Sequence, residues 1–249
     1  MYNPFSLKGK TILITGASSG IGRATAIECA KLGATIILNG RNTNALFETL
    51  SLMSRNSLHQ IIPGDLTEES TIKDIVSNLP LLNGCVLNAG KSKMLPLQFY
   101  TEESLNDVFQ LNCFSPMLFL KHLVKNKKLA KPSSVVFTAS ISGYTNTAVA
   151  NGMYGASKSA LTAYMKYAAL ELATKGIRCN AVHPGRINTP LINNSLLSQE
   201  DINKDIEKYP LGRYGEPQEV AYAIAYLLSD ASAWVTGSDL LIDGGRSLK

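Results

Sequence analysis

A chain of 249 residues, 45% hydrophobic and 17% charged, has the size and composition of one globular α/β domain with a large core. Its net charge of +5 is modest and its basic residues are scattered apart from the stretch 121–131, which argues against a nucleic-acid-binding face. Four dispersed cysteines (Cys29, Cys85, Cys113, Cys179) and three dispersed histidines (His59, His122, His183) speak against a disulfide framework and a zinc site. The cysteines read as buried apolar thiols. No apolar run reaches the length of a membrane span, and residues 1–10 lack the layout of a signal peptide, so the expected location is the cytoplasm.

The first predicted strand, Thr11–Thr15, runs into Gly16, Gly20 and Gly22 and then into a helix predicted over Gly20–Leu32. A strand, a glycine turn and a helix start form a phosphate cradle, because backbone N–H groups and the helix dipole point at the anion. Gly16, Ser18, Ser19, Gly20, Ile21 and Gly22 are therefore candidate cofactor contacts. The spacing is G-x-x-x-G-x-G rather than the commoner G-x-G-x-x-G. The second strand, Thr35–Leu38, is followed by Asn39-Gly40-Arg41-Asn42. Dinucleotide folds that bind NAD place an acid near this point; here Gly40 and Arg41 stand instead. A guanidinium grips a 2′-phosphate through paired charge-assisted hydrogen bonds, so Arg41 and Asn42 point to NADP(H).

A helix over Thr43–Ser54 leads to a strand at Gln60–Pro63, and a helix over Glu68–Leu79 to a strand at Gly84–Leu87. Asp65-Leu66 and Asn88-Ala89-Gly90 follow these two strands, at the carboxyl edge where open α/β sheets bind ligands. One long helix is predicted over Thr101–Lys125. The fifth strand, Val135–Thr138, precedes Ser140 and Ser142, and the next helix, Met153–Lys175, carries Tyr154 and Lys158 four residues apart on one side. A strand at Ile177–Val182 runs into Pro184-Gly185. The polar stretch Asn188–Gly212 then breaks the alternation and is the expected lid over the substrate. A helix over Pro217–Leu228 and a strand at Asp239–Ile242 complete the pattern. The strands are continuously apolar, as expected when both faces are buried. The prediction is a doubly wound, seven-stranded parallel sheet with helices on both faces, in a single domain spanning 1–249.

A phenol titrates near 10 and is a poor base at neutral pH. An ammonium beside it, and a cationic nicotinamide, would both favour phenolate. A hydride donor beside Tyr154, with a serine hydroxyl to hold the carbonyl oxygen, makes a carbonyl reductase site in which the tyrosine gives its proton to oxygen.

These residues resemble the short-chain dehydrogenase/reductase family over essentially the whole chain. Thr15–Gly22 is similar to its T-G-x-x-x-G-x-G turn, Tyr154–Lys158 to its Y-x-A-S-K element, and Ser140 to its substrate-orienting serine. The resemblance implies a Rossmann-type fold and an oxidoreductase acting on a CH–OH group. It also implies that Asn112 holds a water linking Lys158 to a proton relay, and that Lys158 binds the nicotinamide ribose. Pro184–Pro190 resembles the family's P-G-x-x-x-T-P stretch, which puts Pro184, Gly185, Ile187 and Thr189 at the carboxamide. The C-terminal Val235-Thr236-Gly237 and Asp243-Gly244-Gly245 resemble a region used in tetramer contacts, so a homotetramer (or homodimer) is expected. One departure is Leu87, where the family commonly has Asn. Another is the separation of Ser140 from Tyr154, one residue longer than is common.

Within the family the chain is similar to 3-oxoacyl-[acyl-carrier-protein] reductases. An acyl carrier protein is acidic, and Lys175 with Lys125, Lys127, Lys128 and Lys131 would be its docking charges. A helix-end lysine cluster is also an ordinary solvated feature. The other substrate readings are a small ketone, a sugar or another secondary alcohol. A non-catalytic dinucleotide-binding protein would have no need of Asn112, Ser140, Tyr154 and Lys158 together.

Overall fold

In the computed structural model, which describes residues 2–54, 58–190 and 198–249, seven strands form one parallel sheet. They are Thr11–Thr15 (β1), Thr35–Gly40 (β2), Gln60–Pro63 (β3), Leu82–Leu87 (β4), Leu129–Thr138 (β5), Ile177–Pro184 (β6) and Asp239–Ile242 (β7). Their order is β3-β2-β1-β4-β5-β6-β7, all pairs parallel. The predicted fold class is therefore the observed one.

Both sheet faces are covered, which is why the strands lack polar alternation. On one face Leu13, Ile37, Cys85, Val135 and Phe137 pack with Ile72 and Val76 of α3 (Glu69–Asn78), Phe119 and Leu123 of α5 (Ser115–Lys125) and Leu161 and Met165 of α6 (Gly152–Ala173). On the other, Ile12, Ile14, Ile36, Leu38 and Val86 pack with α1 (Gly20–Lys31), with Leu46 of α2 (Thr43–Ser51), and with Val220 and Ile224 of α8 (Pro217–Leu228). All four cysteines are buried and unpaired. Burial pushes the Cys29 and Cys179 thiols up to about 12, so they stay protonated.

Three elements differ from the sequence expectation. The helix expected over 101–125 is interrupted. A regular helix, α4 (Glu102–Phe109), passes into a π turn at Gln110–Phe114 and then into α5. The N–H and hydroxyl of Ser115 both donate to the Gln110 carbonyl, five residues back, which fixes the wider turn. β5 begins at Leu129, six residues before the expected start, with a cis bond before Pro132, so Lys131 lies inside the strand rather than before it. A helix, α7 (Gln199–Ile206), forms within the polar segment 188–212, to which the sequence assigned no element. Ser198 caps it, accepting the Asp201 N–H, while Asp201 accepts the Ser198 N–H in return. Residues 191–197 of that segment lie outside the described residues.

Candidate active site

The strand order reverses between β1 and β4, and the loops that leave these two strands part to opposite faces of the sheet. A cavity of about 590 Å³ opens at this carboxyl edge, within the usual range for a small-molecule or cofactor site. Thr15 locks the floor. Its hydroxyl accepts the N–H groups of Asn88 and Ala89 at 2.9 and 3.1 Å and donates to the Val86 carbonyl. The Asn88 amide returns the contact, donating to the Thr15 carbonyl at 3.1 Å.

Gly16, Ser18, Ser19, Gly20 and Ile21 line one end of this cavity. Gly16 has φ +66°, and a Cβ there would lie 2.9 Å from the Ala89 Cα. Gly22 is not in the wall. A Cβ on it would come within 2.2 Å of the Gly16 oxygen, so its bareness lets α1 start directly under the turn. Ser19, the residue before α1, makes no side-chain cap bond, leaving the first helical N–H groups facing the cavity. Arg23, which sequence reasoning passed over, braces the turn from behind by donating to the Ser18 carbonyl at 2.6 Å. A diphosphate fits this cradle.

Arg41, Asp65, Leu66, Asn88, Ala89 and Gly90 continue the wall. Arg41 is 68% exposed and lies 3.7 Å from the Asp65 carboxylate. Burial pushes the Asp65 carboxyl up, but hydrogen bonds from the Thr67 N–H and hydroxyl, with Arg41 and Lys91 nearby, hold it below its ordinary value. Asn42 stands outside the wall. Its side chain accepts the Ala45 N–H and caps α2.

At the other end Ser140, Tyr154 and Lys158 share the cavity with Pro184, Gly185, Ile187 and Thr189. Tyr154 and Lys158 project from the first turns of α6, and Ser140 lies two residues past the end of β5. The Ser140 hydroxyl bonds the Tyr154 oxygen and favours its ionised form, but burial outweighs this and pushes the phenol up. That departs from the expectation that the lysine would lower it. The Lys158 ammonium donates to the Thr138 carbonyl at 2.7 Å and sits 5.9 Å from the centre of the Tyr154 ring. Burial lowers Lys158 itself to about 8.

Asn112 does not reach the cavity wall. It is fully buried in the π turn, where its carbonyl oxygen accepts the Lys91 N–H at 2.8 Å and its amide donates to the Lys91 carbonyl and the Ser157 hydroxyl. A Cβ on Gly90 would come 3.2 Å from Asn112 Oδ1 and 3.3 Å from Lys158 Nζ, so these two polar groups flank one small space behind the site.

The polar segment after β6 adds Asp205 and Tyr209 to the wall, and the C-terminal turn adds Arg246. Asp205 holds Arg186 at 3.3 Å and accepts the Tyr214 hydroxyl at 3.1 Å, tying α7 to the strand end at the cavity mouth. Nothing in the local sequence marked these residues, since their partners come from distant segments. Ser142 also lines the cavity, with its oxygen accepting the Asn151 amide at 3.1 Å. Among the described residues no cluster of metal-ligating side chains occurs, and no helix is long and apolar enough to cross a membrane.

A family model described as Enoyl-(Acyl carrier protein) reductase matches residues 16–247. The chain is 33% identical to the 3-oxoacyl-[acyl-carrier-protein] reductase FabG of Rickettsia felis, over 96% of this chain and 97% of that protein. It is 34% identical to the cyclohexanol dehydrogenase of an Acinetobacter species, over 100% of this chain and 98% of that one. It superposes on the RhlG/NADP active-site complex of Pseudomonas aeruginosa with a TM-score of 0.91 at 29% identity, covering 99% of this chain and all of the other. Likeness at this level, from the glycine turn to the C-terminal strand, makes the protein a member of the short-chain dehydrogenase/reductase family of oxidoreductases.

Proposed function

We propose that the protein transfers hydride between NADP(H) and a carbonyl or secondary alcohol, with Tyr154 as the proton donor and acceptor. The observation that carries this reading is the opening of Ser140, Tyr154 and Lys158 onto the same cavity as the glycine turn. The nicotinamide, when bound, supplies or accepts the hydride. Ser140 holds the substrate oxygen, and the Tyr154 hydroxyl gives that oxygen its proton in the reducing direction. Burial keeps the phenol protonated at neutral pH, as a general acid must be. Lys158 holds the ribose and stabilises the phenolate left behind, and Asn112 positions the water that resupplies the proton. The residues that would hold the cofactor are the Gly16–Ile21 turn, Asn88–Gly90, Lys158, Ile187 and Thr189. Arg41 would take the 2′-phosphate; the NADP in the Pseudomonas complex is in keeping with this.

For the substrate we propose a 3-oxoacyl thioester, in line with the FabG relative. A small ketone or cyclic alcohol is the second reading, and one observation favours it. The Lys128 ammonium, one of the expected docking charges, is taken up by the carbonyls of Ser77 and Leu79 at 3.0 and 2.5 Å. The segment 188–212 would cover the bound substrate, as Asp205 and Tyr209 already reach the wall. A homotetramer is in keeping with the apolar surface left open: Tyr167 and Leu170 one turn apart on α6, and Trp234 fully exposed near β7.

Tyr154→Phe tests the core of this reading. It should lower NADPH oxidation with a competent ketone by roughly 10²- to 10⁴-fold, the range lost when a general acid–base group is removed, while NADPH still binds. Wild-type turnover in that variant would refute the mechanism. Screening NADPH oxidation against acyl thioesters, cyclic ketones and keto sugars separates the two substrate readings.

A further inference from the structure

His183 on β6 is fully buried and takes no part in the chemistry above. Its Nδ1 lies 2.9 Å from the backbone carbonyl oxygen of Ser140, and its Nε2 lies 2.9 Å from Oδ1 of Asp239 on β7. Burial pushes the Asp239 carboxyl up, yet the bonds from Lys166 and His183 outweigh it and hold the group below its ordinary value, so it is ionised. A carbonyl and a carboxylate can only accept. The two ring nitrogens therefore face one acceptor each, and a hydrogen on Nδ1 is what binds the Ser140 carbonyl.

The charged and titratable groups around the ring are few. Asp239 faces it from β7, and Lys166 of α6 stands behind that carboxylate at 2.9 Å. Tyr144, from the segment after β5, stacks on the imidazole with centroids 4.3 Å apart and reaches Asp239 Oδ2 with its hydroxyl at 3.3 Å. On the Ser140 side, the neighbouring N–H groups of Ala139 and Ile141 bond the Val182 and Pro184 carbonyls of β6. The Ser140 carbonyl between them has a side chain, His183, as its partner. The Ser140 oxygen Oγ accepts the Ser142 N–H at 3.1 Å.

We propose that His183 is a positioning residue: an imidazole ring held between Asp239 and the Ser140 carbonyl, it fixes the backbone that aims the Ser140 hydroxyl at Tyr154. Lys166 and Tyr144 hold the far side of the clamp. The proposal rests on the reading of Ser140 as the group that holds the substrate oxygen.

The test compares His183→Asn with His183→Gln. Asparagine puts its amide nitrogen near the place of Nδ1 and still donates to Ser140; glutamine reaches toward Asp239 and leaves the Ser140 carbonyl bare. With a competent ketone, H183N should keep most of the wild-type kcat. H183Q should lose about tenfold to a hundredfold, the scale of a misplaced catalytic group, with NADPH affinity unchanged in both. Equal losses in the two variants, no loss in either, or a loss that tracks NADPH affinity would overturn the proposal. The ¹⁵N imidazole spectrum of the wild-type protein at pH 7 needs no turnover and guards against misfolded variants. A hydrogen on Nδ1 is expected, and a bare Nδ1 would overturn the clamp. A wild-type protein inactive on every carbonyl but carrying the hydrogen on Nδ1 would overturn the reductase reading instead.

Discussion

Replacing Arg41 by alanine should separate the two cofactors. The guanidinium is 68% exposed and its partner Asp65 is 41% exposed, 3.7 Å away. A pair this open contributes about 0–1 kcal/mol to folding. The urea midpoint of Arg41→Ala should therefore correspond to a loss of no more than about 1 kcal/mol. On a 2′-phosphate the same group would make charge-assisted hydrogen bonds, each contributing about 1.5–3 kcal/mol. At about 1.4 kcal/mol per decade, the loss of even one such bond is roughly 10- to 150-fold in Kd for NADPH. NADH lacks the phosphate and should change by less than about twofold, well under 1 kcal/mol. Fluorescence titration of both dinucleotides at one fixed ionic strength measures the difference, since an exposed charge is screened by salt. Gly40→Asp gives the converse. A Cβ at Gly40 would sit 3.3 Å from the movable end of Leu46 and 3.6 Å from the Ser18 hydroxyl, so an acid fits beside the turn. Preference should then move toward NADH. Equal weakening of NADPH and NADH by Arg41→Ala would refute the 2′-phosphate assignment.

Two further outcomes are expected. Gly22→Ala would press a methyl to 2.2 Å from the Gly16 oxygen and 2.7 Å from the Asn88 amide, against backbone that cannot swing away. It should cost about 1–3 kcal/mol in a urea melt, the range for an overpacked site, and weaken NADPH; wild-type values for both would show that the close approach is not needed. Lys158 titrates at about 8 in the folded protein against its ordinary 10.5, because burial disfavours the ammonium. Between those values the unfolded chain binds more protons, so stability rises with pH through that window and the penalty is complete below 8. Lys158→Met removes the penalty along with the activity, so its Tm advantage over wild type should be largest below pH 8 and shrink toward pH 10.5. Parallel Tm–pH curves would contradict the buried ammonium.

Much of the fold was legible because parallel strands buried on both faces write continuous apolar runs, and glycine turns and helix starts are local. The β1–Gly16 turn–α1 unit needs only residues 11–31, and Tyr154 and Lys158 share a side of α6 through the four-residue period of a helix. The π turn at 110–114 was not legible, since it depends on Ser115 bonding back to Gln110. Neither was the early start of β5, where Leu82 and Leu129 pair across strands. Asn42 is expected at the cofactor from its place after Arg41, and tertiary structure shows its side chain on the Ala45 N–H at the start of α2.

The sequence by itself determined the class of fold, the glycine turn and the Tyr–Lys pair, because each is set by residues within a few positions of one another. Tertiary structure decided what those residues meet. It brought Asp205, Tyr209 and Arg246 to the cavity, joined His183 to Ser140 and Asp239, and raised the Tyr154 phenol by burial instead of lowering it by charge. Local spacing reports which side of an element is buried. The identity of the neighbour across the gap depends on strand order, and strand order is settled only when the whole sheet has closed around its core.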